Sequence, residues 1–184
     1  MSDNGHIHSI IGWLQERPVG RAYWKVVGGA FALDTVWEIC VALIGLRFFE
    51  LHEPDRTGQA FAEWLGQLAF WQTSPLLIAG SFVEEVFFRF LPLAIAIVIF
   101  GRNATMRPYI LVVAILFSVL FGFAHGAHPF FLFLQGVGGF VYCIVFLKVS
   151  GMRTQYVMRA FLTVWMMHAT WNIGILGLSV LSGS

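Results

Sequence analysis

Five apolar stretches, at about 26–49, 75–100, 108–124, 130–149 and 156–181, take up most of the chain, and short polar connections separate them. Each is near the roughly 20 residues an α-helix needs to cross the hydrocarbon core of a bilayer. The pattern predicts an all-α fold: an integral membrane helical bundle of about five transmembrane helices. Two weaker segments, 7–14 and 61–71, mix Ile, Leu, Phe and Trp with polar positions. They suit one or two short interfacial helices, or loops packed on the bundle. The first 22 or so residues carry Glu16, Arg17 and Arg21 and have no long apolar core, so a removable signal peptide is not expected. No internal repeat or linker divides the sequence, and residues 1–184 read as a single domain.

Composition strengthens the membrane reading: 58% of the residues are hydrophobic, only 11% are charged, and 19 are Phe. The formal net charge of +1 provides no broad basic or acidic field, so no nucleic-acid partner is expected. Cys40 and Cys143 each lie in an apolar run and suggest no disulfide framework.

The distribution of Lys and Arg orients the bundle, because cytoplasmic connections are enriched in them. With the N-terminus inside, the cytoplasmic side carries Arg17, Arg21, Lys25, Arg102, Arg107, Lys148, Arg153 and Arg159, and the other side only Arg47 and Arg56. Arg89 falls within a span. The expected topology is N-terminus in and C-terminus out, in a bacterial inner membrane.

Against this apolar background three polar clusters stand out: Glu84, Glu85 and Arg89; His125; and His168 with Asn172. Ionisable groups at bilayer depth cost at least ~2.5–3.5 kcal/mol each on insertion scales, and usually face a protein interior or a water cavity where they act in chemistry or transport. At 1.5 Å of rise per residue, Glu84 and Glu85 lie roughly 14 Å below the outer surface and His168 about 18 Å above the inner one, with His125 at the outer end of its span. All three clusters therefore fall in the outer half. Residues four apart share a helix face and adjacent ones point about 100° apart, so Glu85 can pair with Arg89 and leave Glu84 free as a base. His168 and Asn172, also four apart, can offer two donors to a developing oxyanion. Taken singly, each cluster is equally consistent with a structural ion pair or with polar glue between helices.

In combination the residues carry a resemblance. Glu84-Glu85-Val86-Phe87-Phe88-Arg89 resembles the E-E-x-x-x-R motif of the CPBP family of intramembrane proteases, which includes CAAX prenyl endopeptidases and Abi proteins. Phe121-Gly122-Phe123-Ala124-His125 is similar to that family's F-x-x-x-H motif, and His168-Ala169-Thr170-Trp171-Asn172 to its H-x-x-x-N motif. The segment from Phe133 to Phe140 resembles the family's glycine-bearing helix, and the match extends over about 75–174. What this implies is peptide-bond hydrolysis within the membrane, with Glu84 and His125 activating water, His168 and Asn172 holding the oxyanion, and Glu85 and Arg89 supporting the site electrostatically. No cofactor is expected. The family has also been described as metal-dependent, and the alternative is a zinc ion on Glu84, His125 and His168, although H-E-x-x-H is absent.

Other residues carry weaker signals. Asp34 and Glu38, four apart on the first span, are expected to have a structural or supporting role; they could also face the site or bind a cation. His128 reads as a solvated loop residue and His6 and His8 as tail residues, while Trp24, Trp64 and Trp71 suit interfacial anchoring. Gly136, Gly138 and Gly139 permit close approach of a helix or of substrate. The expected partners are the lipid bilayer and a membrane-anchored protein or peptide substrate. A prenylated CAAX tail is the alternative within the family. Outside it stand a non-catalytic immunity or binding protein and an ion-coupled transporter, the latter disfavoured by five spans without a repeat.

Overall fold

A computed structural model describes residues 4–48, 68–126 and 129–182. Every regular element among them is helical. Helix α1 covers Asn4–Gln15 and α2 covers Arg21–Phe48. Helix α3 runs continuously over residues 70–100, as Phe70–Glu85, a π-helical turn at Val86–Phe90, and Leu91–Phe100. Helix α4 is Pro108–Ala124. Helix α5 spans Pro129–Ser150 with a second π turn at Leu132–Gly136. A 3-10 turn at Thr154–Tyr156 leads into α6, Val157–Ser182.

All five expected spans are helices. Arg21–Gly45, Pro129–Ser150 and Thr154–Leu181 are long and apolar enough to cross a membrane. Pro108–Ala124 is a shorter apolar helix, and α3 carries Glu84, Glu85 and Arg89 near its middle. Large apolar side chains such as Val36, Leu43, Val98, Val112 and Leu178 project outward, as they do where lipid is the solvent. The chain is thus an integral membrane helical bundle.

The structure moves several boundaries. Helix α3 begins at Phe70 with Pro75 inside it, whereas the sequence suggested a start at Pro75 and an interfacial segment ending at Trp71. Proline this near an N-terminus removes only one intrahelical hydrogen bond. The Gln72 side chain meanwhile accepts from the Ala69 N–H at 3.0 Å and caps the true start. Residues 61–67, including Trp64, lie outside the described residues, as do Arg56 and His128. The expected helix at 7–14 forms as α1, which contains the positions of His6 and His8 that read as tail residues. It buries Ile11 and Leu14 in the bundle and leaves Ile7, Ile10 and Trp13 exposed.

Helix α5 is the centre of the bundle: half of its apolar window is buried, against 17% for α2 and 22% for α6. Its Cys143, Val145, Phe146, Leu147 and Val149 form the core with Leu93 and Ile97 of α3, Ile110 and Ala114 of α4, and Ala160 and Val164 of α6. Glycines bring these helices together. A Cβ on Gly122 would lie 2.9 Å from the Leu132 Cα, so α4 and α5 touch backbone to backbone.

One end of the bundle gathers the basic residues. Arg17 lies 3.8 Å over the Tyr156 ring, Arg159 lies 4.7 Å over the Tyr23 ring, and the Lys148 ammonium donates to the Trp13 carbonyl. The α1–α2 connection, the end of α5 and the start of α6 therefore share that end.

Candidate active site

The π turn at Val86–Phe90 sets the first part of the site. Leu91 N–H donates to the Val86 carbonyl five residues back, and the widened turn carries Arg89 over Glu85. Arg89 Nη1 donates to Glu85 Oε1, and both side chains are buried, at 1% and 0% exposure. The guanidinium also donates from Nε to the Gly139 carbonyl at 3.5 Å and stacks 4.3 Å from the Phe121 ring and 5.1 Å from the Tyr142 ring. Gly139 is what allows this, since a Cβ there would sit 3.0 Å from Phe121 Cδ1 and 3.3 Å from Arg89 Nη2.

Glu85 Oε1 is shared. It also accepts from His168 Nδ1 of α6, at 2.8 Å. That bond puts the proton on Nδ1 and turns Nε2 toward Glu84, whose Oε2 is 3.6 Å away. His125, at the C-terminal end of α4, is fixed by the same logic. Its Nδ1 lies 2.9 Å from the Phe121 carbonyl, which can only accept, so Nδ1 carries the proton. Its Nε2 faces Glu84 Oε2 at 3.9 Å. Glu84 is 36% exposed, and so the reachable member of the acid pair.

The structure therefore brings together all six residues singled out in the sequence. Glu84, Arg89, His125, His168 and Asn172 line one polar cavity of about 170 Å³, and Glu85 is buried just behind it. Asp34, Glu38 and Tyr142 line the same cavity, as do Gln135 and Trp171. Asp34 and Glu38, for which the sequence left open a place facing the site beside a supporting role, are thus on the cavity wall. Gly138 makes room for them: a Cβ there would lie 2.6 Å from Asp34 Oδ1 and 3.2 Å from Glu38 Oε1. Tyr142 is a residue the sequence did not mark, and Phe121 stood out only as the aromatic of the F-x-x-x-H motif, because an aromatic ring in an apolar run gives no sign of what it will face.

A second cavity adjoins the first. It is an apolar cleft of about 690 Å³ with walls that include Leu77, Leu134, Ile175 and Leu176. Glu38, Gln135, Trp171 and Asn172 belong to both cavities and mark where they meet.

Among the described residues, no three His, Cys, Asp or Glu side chains assemble into a set that could hold a metal ion. Glu84, His125 and His168, the set the zinc alternative requires, place the two imidazole Nε2 atoms 3.9 and 3.6 Å from Glu84 Oε2.

The helical bundle, with ionisable groups of α2, α3, α4 and α6 around one cavity, defines an integral membrane protein with a polar site in its interior. Residues 66–174, more than half of the chain, match the family described as type II CAAX prenyl endopeptidase Rce1-like, and the chain belongs to that family. Neither the curated proteins nor the solved structures give a match. Membership makes the chain a protease of the CAAX type, and the matched segment contains all six site residues.

Proposed function

We propose that this protein is an intramembrane endopeptidase that cleaves a membrane-anchored protein segment with water activated by Glu84 and His125. The observation that carries this reading is the convergence of the two imidazole Nε2 atoms on Glu84 Oε2 at 3.6 and 3.9 Å. These separations are too long for direct hydrogen bonds and suit a bridging water. With its proton held on Nδ1, His125 accepts at Nε2. A water that donates one hydrogen there and the other to Glu84 presents an oxygen lone pair to the scissile carbonyl. Glu84 takes a proton as the C–O bond forms, then delivers it to the leaving nitrogen as the C–N bond breaks.

The tetrahedral oxyanion is held by the Asn172 amide and by His168 Nε2. For the second donor His168 must carry protons on both nitrogens, and the Glu85 carboxylate offsets that imidazolium. Glu85 and Arg89 do not touch substrate; they fix the His168 ring and act as positioning residues. No step in this scheme runs through a metal.

The adjoining apolar cleft supports a substrate that is itself apolar: a transmembrane or lipid-embedded segment lies in the cleft and places its peptide bond at Asn172. The eight basic residues counted on one side support an N-terminus in the cytoplasm, and His125 at the far end of α4 then supports a site that opens toward the outer face. That orientation favours an anchored leader or sorting segment over a cytosolic prenylated tail, which remains the alternative within the family. Mass spectrometry of membrane proteins from cells with and without the protein tests this: new paired fragments within or beside apolar segments are expected, and an unchanged membrane proteome would refute it.

A further inference from the structure

The polar cavity holds more acid than its chemistry uses. Four carboxyl groups, Asp34, Glu38, Glu84 and Glu85, stand in or directly behind it against one fixed cation, Arg89. Arg89 is already committed to Glu85. Asp34 is 1% exposed and Glu38 9%, both on α2, outside the three matched motifs. Among the described residues, the buried Asp34 Oδ1 has no partner at hydrogen-bond geometry; the Tyr142 hydroxyl beside its carboxyl is likewise left without a close partner, and both line the cavity. A buried carboxylate left without a donor is costly, and an arriving cation with N–H groups supplies what it lacks.

The position is as informative as the charge. Taken as a sphere, a cavity of 170 Å³ is about 7 Å across, or two residues of extended chain, so a group held by Asp34 and Glu38 belongs to a residue within about two of the bond presented to Glu84. Glu38 also stands at the junction with the apolar cleft, where a substrate passes from apolar to polar surroundings. A Lys or Arg at the margin of an apolar segment fits that junction, with its stem along Trp171 and its head at the acids. Gly138 keeps the wall open, because any larger residue would meet both carboxylates.

We infer that Asp34 and Glu38 form a specificity subsite that receives a Lys or Arg side chain of the substrate within two residues of the scissile bond. This rests on the protease reading and adds to it a substrate class, an apolar segment with a basic residue at its edge. The acids act in binding, so the discrimination falls on KM more than on kcat.

The test uses the full-length protein in proteoliposomes with a library of single-span peptides that differ only near the apolar margin, where Lys, Arg, norleucine or Glu is placed at each position. Fragments are read by mass spectrometry. Wild type is expected to favour Lys and Arg over norleucine by tenfold or more, mainly through KM, and to reject Glu. Asp34→Asn and Glu38→Gln are each expected to bring the Lys to norleucine ratio toward one; Glu38, at the cavity junction, provides the second variant if Asp34→Asn does not fold. Cleavage by wild type without a basic preference, or a preference that survives both substitutions, overturns the subsite and leaves the protease reading intact. Failure of wild type to cut any peptide overturns both.

Discussion

Replacing Arg89 with Leu removes the one fixed cation that the buried network has among the described residues. Glu85, fully buried, would keep its charge with a single donor, His168 Nδ1, on Oε1 and no partner on Oε2 among the described residues. A buried charge stripped of its partner costs about 3–5 kcal/mol. For a chain of this length one kcal/mol corresponds to about 2–4 °C, so Arg89→Leu should lower the melting temperature in detergent by about 6–20 °C. Glu85→Gln should destabilise by a similar mechanism, by leaving the guanidinium uncompensated. The double variant carries neither charge, and its loss should fall short of the sum of the singles by about 0.5–3 kcal/mol. Stability would then recover in part while cleavage does not, since no carboxylate would remain to orient and offset the His168 ring. Circular dichroism melts of the four proteins form the assay. Arg89→Leu within about 2 °C of wild type, or single effects that simply add, would refute the reasoning.

His168→Ala and Asn172→Ala should each slow cleavage by roughly 10²–10³-fold with a small change in stability, because each removes an oxyanion donor from a shielded site; kcat in proteoliposomes reads this. A cysteine replacing Pro129, exposed at the start of α5, should label with an impermeant thiol reagent in intact cells and one replacing Arg102 should not; the reverse pattern would invert the topology. Activity should persist after exhaustive chelation and dialysis. Zinc bound one per chain, with activity that tracks it, would replace the water-only scheme and leave the protease assignment standing.

Much of the site was legible in the sequence because helical spacing carries side-chain direction. The interval of four between Glu85 and Arg89 predicted their pairing and the separation of Glu84, and both are present. The spans were legible from length and apolarity, and their ends shifted by only a few residues. What the sequence could not convey is rotation. A membrane helix apolar all round gives no moment to tell inside from outside, so Asp34 and Glu38 could be paired by spacing but not aimed at a cavity. The π turns at Val86–Phe90 and Leu132–Gly136 lie within such runs and leave no mark in them. Nor could spacing reveal that Glu85 serves Arg89 and His168 together, or that a main-chain carbonyl, that of Phe121, sets the His125 tautomer. Those contacts depend on how three helices meet, which the polar motifs point to without specifying.

The central claim is that Glu84 activates a water for peptide-bond hydrolysis. It is tested most directly by digesting a membrane-embedded substrate in ¹⁸O-labelled water with purified wild type and with Glu84→Gln. The account predicts two fragments from wild type, with one ¹⁸O atom in the new C-terminal carboxylate, and at least a ~10²-fold slower reaction from a normally folded Glu84→Gln protein. Near-normal cleavage by Glu84→Gln, or fragments without the label, would contradict it.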